Sequence, residues 1–74
     1  MKDFPYTITV PKSRGDSHYQ QTVWCEKQFG KRWSILDNRD GVWCCFWGGR
    51  SIPGYYIWEF QNEKDALMFS LRWL

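Results

Sequence analysis

The residues best suited to nucleophilic chemistry in this chain are three cysteines and a single histidine. Cys44 and Cys45 are adjacent, whereas Cys25 and His18 lie earlier, in a segment with helical periodicity. A thiol beside an imidazole can act as a nucleophile, because the imidazole accepts the thiol proton. No spacing in the sequence places His18 against a thiol. We therefore expect a solvated histidine and buried, inert cysteines.

The same residues argue against a metal centre and against a disulfide framework. A zinc site needs three or four protein ligands at suitable spacing, and an adjacent cysteine pair with one histidine does not supply them. The odd number of cysteines favours a reducing compartment. The sequence predicts no metal, no cofactor and no enzymatic activity, and it predicts a cytoplasmic location.

Aromatic residues are the most unusual part of the composition, with six tryptophans, four tyrosines and five phenylalanines among 74 residues. Each aromatic side chain can remove roughly 150–250 Å² from water. A domain this small buries only about 60% of its unfolded surface. Some rings should therefore reach the surface, where Trp and Tyr favour contact with a partner. We predict a single domain, residues 1–74, that acts by binding.

Periodicity and turn residues place these side chains on a small sheet and two helices. Six elements are predicted in the order β-α-β-β-β-α: a strand at Tyr6–Val10, a helix from Asp16 or Ser17 to Phe29, strands at Trp33–Leu36, Val42–Trp47 and Tyr55–Phe60, and a helix from Glu63 to the C-terminus. Gly30 is a natural helix stop, and Asp40-Gly41 is a hairpin signal. The predicted fold class is α+β, with a mostly antiparallel sheet and both helices packed on one face.

The last two strands are apolar on both sides, so their sequence does not decide which side the helices cover. The side with the smaller residues, Val42, Cys44 and Phe46, suits the helices. The other side would then form an exposed aromatic platform, consisting of Trp43, Trp47, Tyr56 and Trp58. Contiguous exposed apolar surface usually marks an interaction site. The reverse assignment remains open.

Three further residues are candidates for partner binding outside this platform. Trp24 lies on the polar side of its helix beside Lys27, where it could anchor a protein partner. Arg39 and Arg50 lie in the loops that flank the strands and could contact phosphate if the platform stacks unpaired bases. A single-stranded nucleic-acid module is therefore the alternative to a protein-binding module.

The charge balance favours a protein partner over nucleic acid. The net charge is only +2 and the pI about 8.5, well short of a strongly basic chain. The order of elements from Ser17 resembles that of double-stranded-RNA-binding domains. However, the start of the last helix, where such domains are basic, reads Asn62-Glu63-Lys64-Asp65. No apolar run approaches the roughly 18–20 residues that span a bilayer.

The last helix is apolar over a wide arc that ends in Leu71, Trp73 and Leu74. A helix this apolar is either deeply covered or part of an interface. A small domain also gains stability by burying more surface in an oligomer. We therefore predict a homo-oligomer that forms through this helix.

The C-terminal stretch resembles a known group of sequences. Residues 56–73, Tyr-Ile-Trp-Glu-Phe-Gln-Asn-Glu-Lys-Asp-Ala-Leu-Met-Phe-Ser-Leu-Arg-Trp, are similar to the end of small uncharacterised proteins encoded by tailed bacteriophages. Those proteins share an aromatic strand, an acidic cap and an Asp-Ala-x-x-Phe-x-Leu-x-Trp helix. The resemblance implies a phage accessory protein, located in the host cytoplasm, that binds a host or viral macromolecule. It implies no catalytic residue.

Overall fold

The computed structural model describes residues 3–11, 18–51 and 53–74, which form one sheet and two helices. In chain order the elements are β1 (Tyr6–Pro11), α1 (His18–Phe29), β2 (Trp43–Trp47), β3 (Tyr55–Phe60) and α2 (Glu63–Trp73). The predicted α+β class and antiparallel sheet are confirmed. The predicted caps of α1, Asp16 and Ser17, lie outside the described residues.

The sheet has the strand order β1-β3-β2, and β3 pairs antiparallel with both neighbours. In the shared register, Trp58 of β3 lies between Ile8 of β1 and Cys45 of β2. Because side chains alternate between the two faces of a strand, this register divides the sheet into two faces. We call them the inner face, which contains Ile8, Val10, Trp43, Cys45, Trp47, Tyr56, Trp58 and Phe60, and the outer face, which contains Thr7, Thr9, Cys44, Phe46, Tyr55, Ile57 and Glu59.

Both helices pack on the inner face, and the core lies between them and the sheet. Its buried members come from every element: Val10, Cys25, Trp43, Cys45, Trp58, Phe60, Ala66, Phe69 and Trp73. The position of Ala66, Phe69 and Trp73 on α2 follows the i, i+3, i+7 spacing of a helix face turned toward a core.

The helix boundaries agree with the local sequence signals. Gly30 follows α1 with φ of 88° and donates its N–H to the Glu26 carbonyl oxygen at 3.0 Å, which is the usual end of a helix at glycine. Asn62 occupies the N-cap position of α2, but its side chain does not cap the backbone. Its amide nitrogen instead donates to the Asp65 carboxylate at 3.2 Å.

The segment Trp33–Leu36, predicted as a strand, does not form one. The Trp33 N–H does donate to the Trp43 carbonyl oxygen at 2.8 Å, as a paired strand would. The chain then closes a local loop, because the Ser34 N–H donates to the Asn38 carbonyl oxygen at 2.8 Å. This loop takes the backbone away from β2 and leaves Ile35 and Leu36 exposed. Within the described residues, the sheet therefore has three strands.

Candidate functional site

The predicted aromatic platform is wrong, because the helices cover the face that carries it. Trp43 and Trp58 are fully buried, each with 0% exposure. Their rings stack with centroids 5.7 Å apart, and the Trp58 ring lies 4.8 Å from that of Phe69 on α2. Large rings fill the space between a sheet and two helices, which the smaller residues of the outer face would leave partly empty. These two tryptophans belong to the core.

The other two platform residues, Trp47 and Tyr56, lie at the end of the inner face. Trp47 is 46% exposed, and its ring packs edge-on against Tyr56 with centroids 5.2 Å apart. Tyr56 is half-buried because His18 stacks on it, with centroids 3.9 Å apart and planes within 11°. Trp47 alone of the four platform residues therefore presents a large exposed surface.

The two candidate arginines do not combine into one basic surface. Arg39 and Arg50 are both exposed. Arg39 lies in the loop before β2 and Arg50 in the loop after it, so the two side chains belong to opposite ends of that strand. An arrangement of bases stacked between these arginines on Trp43 and Trp58 is not available, because both rings are buried.

Trp24, the fourth candidate tryptophan, lines a groove between the two helices. The groove has a volume of about 400 Å³. We call it the helix groove, and its walls are formed by Tyr19, Gln20, Val23, Trp24, Lys27, Arg72 and Trp73. A volume of this size is within the range of sites that bind small ligands or single side chains.

Trp24 is held in place by edge-to-face contacts with three aromatic rings. Its ring centroid lies 5.6 Å from that of Phe29, 6.2 Å from Phe69 and 6.3 Å from Trp73. Edge-to-face pairs at such distances are favourable and directional. Trp24 is therefore half-buried rather than freely exposed, and it is a rigid wall of the helix groove.

The helix groove is cationic along its aromatic walls. Lys27 lines it from α1 and Arg72 from α2, and no carboxylate is among the residues that line it. The Arg72 guanidinium carbon lies 4.1 Å from the centroid of the Trp73 ring, a cation–π contact. Tyr19, at 75% exposure, adds an open aromatic surface at the same site. Charge and ring surface thus coincide at the helix groove, unlike at the predicted platform.

His18 and Cys45 do approach each other, contrary to the expected solvated histidine. The Cys45 sulfur lies 4.0 Å from His18 Nδ1. Burial, followed by the charge of Arg32, lowers the pKa of His18 from 6.5. Burial is also the main reason that the pKa of the Cys45 thiol is raised to about 12. Both shifts favour the neutral thiol and neutral imidazole, so the pair lacks the ionised form of an activated nucleophile.

The other two thiols are equally unsuited to nucleophilic attack. Burial raises the pKa of Cys25, and burial with the neighbouring Glu59 carboxylate raises that of Cys44 to about 12. All three thiols are free. Within residues 3–11, 18–51 and 53–74, no cluster of histidine, cysteine or acidic side chains is arranged to hold a metal ion.

Sequence reasoning identified one side of the helix groove and missed the other. Trp24 and Lys27 are three residues apart, and this spacing on a helix already indicates a shared surface. Arg72 and Trp73 join them only because α2 packs beside α1, which no local pattern specifies. Tyr19 is largely exposed at the same site, although no pattern in the sequence singled it out.

Comparisons with known proteins leave the site to be interpreted from its own geometry. No protein-family model matches the chain, and neither the curated proteins nor the solved structures gave a match. Neither of the two helices in the described part of the chain combines the length and apolarity needed to cross a bilayer.

Proposed function

We propose that this protein is a non-enzymatic binding module that captures an acidic segment of a protein partner in the helix groove. The observation that carries the proposal is the coincidence of Lys27 and Arg72 with the rings of Tyr19, Trp24 and Trp73. Interface hot spots are enriched in Trp, Tyr and Arg. A cationic groove with aromatic walls favours a segment with an acidic residue beside an apolar one.

The alternative, a single-stranded nucleic acid in the same groove, has weaker support. Two cations line the groove, whereas nucleic-acid affinity grows with the number of phosphates that are neutralised. Glu63 and Asp65 in the first turn of α2 add negative charge to the same helix. The net charge of the chain is only +2, well short of the strongly basic balance typical of nucleic-acid-binding domains.

The resemblance of the C-terminal stretch to phage proteins supports the proposal that the protein acts by binding a host or viral protein. A phage accessory protein that acts in the host cytoplasm would need a binding surface and no catalytic centre. The helix groove supplies such a surface, and the neutral thiols and imidazole supply no activated nucleophile. The partner would be a host or viral protein that presents an acidic segment.

A peptide-display selection tests the charge preference directly. Random peptides are selected on the wild-type protein and counted again on the Lys27→Glu/Arg72→Glu variant. We expect the enriched peptides to pair Asp or Glu with an apolar residue, and to lose about tenfold or more in affinity on charge reversal. The control is Lys31→Glu/Lys64→Glu, which makes the same charge change at exposed residues outside the groove.

A parallel titration with a deoxythymidine oligonucleotide separates the two partner classes. Tryptophan fluorescence is followed at two salt concentrations in the wild type and in Arg72→Glu. Submicromolar, salt-sensitive quenching that disappears in Arg72→Glu would replace the protein partner with a nucleic acid. If the enriched peptides bind the charge-reversed variant as tightly as the wild type, the helix groove is not their binding site.

A further inference from the structure

A second pocket, of about 410 Å³, lies over the outer face of the sheet. Both helices pack on the opposite face, so this pocket is separate from the helix groove. We call it the outer pocket, and the residues that define its chemistry are Phe4, Arg32, Trp33, Cys44, Phe46 and Glu59.

Close backbone packing holds one wall of the outer pocket against the edge of β2. The Trp33 N–H donates to the Trp43 carbonyl oxygen at 2.8 Å. Gly41 passes so near this segment that a Cβ atom there would overlap with the backbone of Arg32 and Trp33. Only glycine permits this approach. The positions of Arg32 and Trp33 beside β2 are therefore fixed by the backbone.

Aromatic rings bound the outer pocket on two sides. Phe4 and Trp33 meet edge-to-face with centroids 5.8 Å apart and planes at 65°. Phe46, two residues beyond Cys44 on the same face of β2, is 47% exposed. The exposed ring of Phe46 is thus available to a ligand that enters beside the Phe4–Trp33 pair.

One carboxylate and one guanidinium line the same pocket. Glu59 is half-buried opposite Cys44 in the β2–β3 register, and the Cys44 thiol donates to its Oε1 at 3.5 Å. Arg32 is exposed and close enough to Cys44 for its charge to act on that thiol. Within the described residues, no ion pair joins Arg32 to Glu59 or to another side chain. Both charges therefore line the pocket, but neither makes a direct ion pair with a described residue.

We propose that the outer pocket binds a small zwitterion, an α-amino acid with an aromatic or branched apolar side chain. Its ammonium group would contact the carboxylate of Glu59, and its carboxylate would contact the guanidinium of Arg32, which suits paired hydrogen bonds to two oxygens. Its side chain would pack between Phe46 and the Phe4–Trp33 pair. A ligand with both charges can pair with both side chains. A simple cation would be repelled by Arg32, and a simple anion would be repelled by Glu59.

Calorimetric titration with three related probes tests this arrangement. Phenylalanine carries both charged groups, phenethylamine lacks the carboxylate, and 3-phenylpropionate lacks the ammonium group. We expect phenylalanine to bind with a millimolar or lower dissociation constant, and each of the other probes to bind about tenfold more weakly.

Two variants assign the two ends of the ligand. Glu59→Gln should weaken phenylalanine and phenethylamine but should not weaken 3-phenylpropionate, whose carboxylate Glu59 repels. Arg32→Gln should weaken phenylalanine and 3-phenylpropionate but should not weaken phenethylamine, whose ammonium group Arg32 repels. Lys31→Gln, an exposed neighbour outside the outer pocket, is the control.

Absence of saturable phenylalanine binding, or equal losses for all probes in both variants, would overturn the proposal. Arg32 is exposed, so its variant reports even if Glu59→Gln disturbs folding. None of these residues lines the helix groove, so failure here leaves the proposed function untouched.

Discussion

The inner and outer faces of the sheet are both rich in apolar side chains, yet they differ in how far those side chains are buried. On the inner face, Trp43, Trp58 and Phe60 have 0% exposure. On the outer face, Phe46 is nearly half exposed and Glu59 is half-buried beside a pocket. On the sheet, the two fully buried tryptophans thus serve the core, whereas the outer face carries smaller side chains beside a pocket.

This contrast shows that many aromatic residues in a small domain are needed to fill its core, so a high aromatic content does not by itself indicate a binding surface. A chain of 74 residues has few side chains with which to fill the space between its layers. Tryptophan fills more of that space per residue than any other side chain. The surface that we propose for binding instead combines a charge with a ring, as at Arg72 and Trp73.

The largest effect expected from the contrast is on stability. Trp58→Ala should lower the free energy of unfolding by about 3–5 kcal/mol, since it empties a fully buried site. Phe46→Ala on the outer face should cost about 1 kcal/mol or less. Urea unfolding of the two variants measures both values. Equal losses would mean that the two faces are covered to the same extent.

A smaller effect distinguishes two equally buried tryptophans. Trp43 Nε1 donates to the Gly30 carbonyl oxygen at 2.8 Å, whereas Trp58 Nε1 is buried with no partner among the described residues. Replacement by phenylalanine removes a similar volume at each site, but it breaks a hydrogen bond only at Trp43. We expect Trp43→Phe to cost about 1 kcal/mol more than Trp58→Phe in the same unfolding assay. The reverse order would place the hydrogen bond elsewhere.

His18, which stacks on Tyr56 at the end of the inner face, should make the free energy of unfolding depend on pH. Because burial lowers the pKa of His18 in the folded state, the unfolded chain takes up a proton near pH 6.5 that the folded chain resists. The free energy of unfolding should therefore fall as pH drops below 6.5, and level off below the folded pKa. His18 is the only histidine, so His18→Gln should flatten this dependence. An unchanged slope in that variant would assign the titration to another group.

The smallest effect on stability concerns the side of α2 opposite the core. Leu67, Leu71 and Leu74 are exposed at a spacing of four and three residues, as in helical interfaces. Trp73, which was predicted to belong to this surface, is instead buried. Leu71→Glu should change stability by no more than about 0.5 kcal/mol. It should also abolish the self-association that we expect of the wild type at high micromolar concentration. A wild-type monomer at that concentration in sedimentation velocity would refute the predicted oligomer.

Local sequence signals predicted most of the fold. Alternation identified β1, Gly30 marked the end of α1, and the acidic first turn marked the start of α2. Residues 33–36 have strand-like side chains and were wrongly predicted as a strand. Their backbone instead closes a loop onto Asn38, and tertiary contacts rather than local sequence decide between the two conformations. The covered face was also beyond local reasoning, because both sides of β2 and β3 are apolar.

The candidate site was predictable only where its residues share one element. Trp24 and Lys27 could be paired from their helical spacing. Arg72 lies far along the chain from them, and it joins the helix groove only through the packing of α2 beside α1. The outer pocket was missed for the same reason, since Arg32 and Glu59 lie far apart in the sequence and line one pocket only in the folded chain.

The most direct test of the helix groove is the set of six indole N–H signals in an NMR spectrum, one from each tryptophan. A peptide from the display selection is titrated into the isotope-labelled protein. We expect saturable shifts for Trp24 and Trp73, with little change for Trp33 in the outer pocket and Trp47 at the edge of the sheet. Shifts confined to Trp33 or Trp47, with Trp24 and Trp73 unchanged, would contradict this expectation.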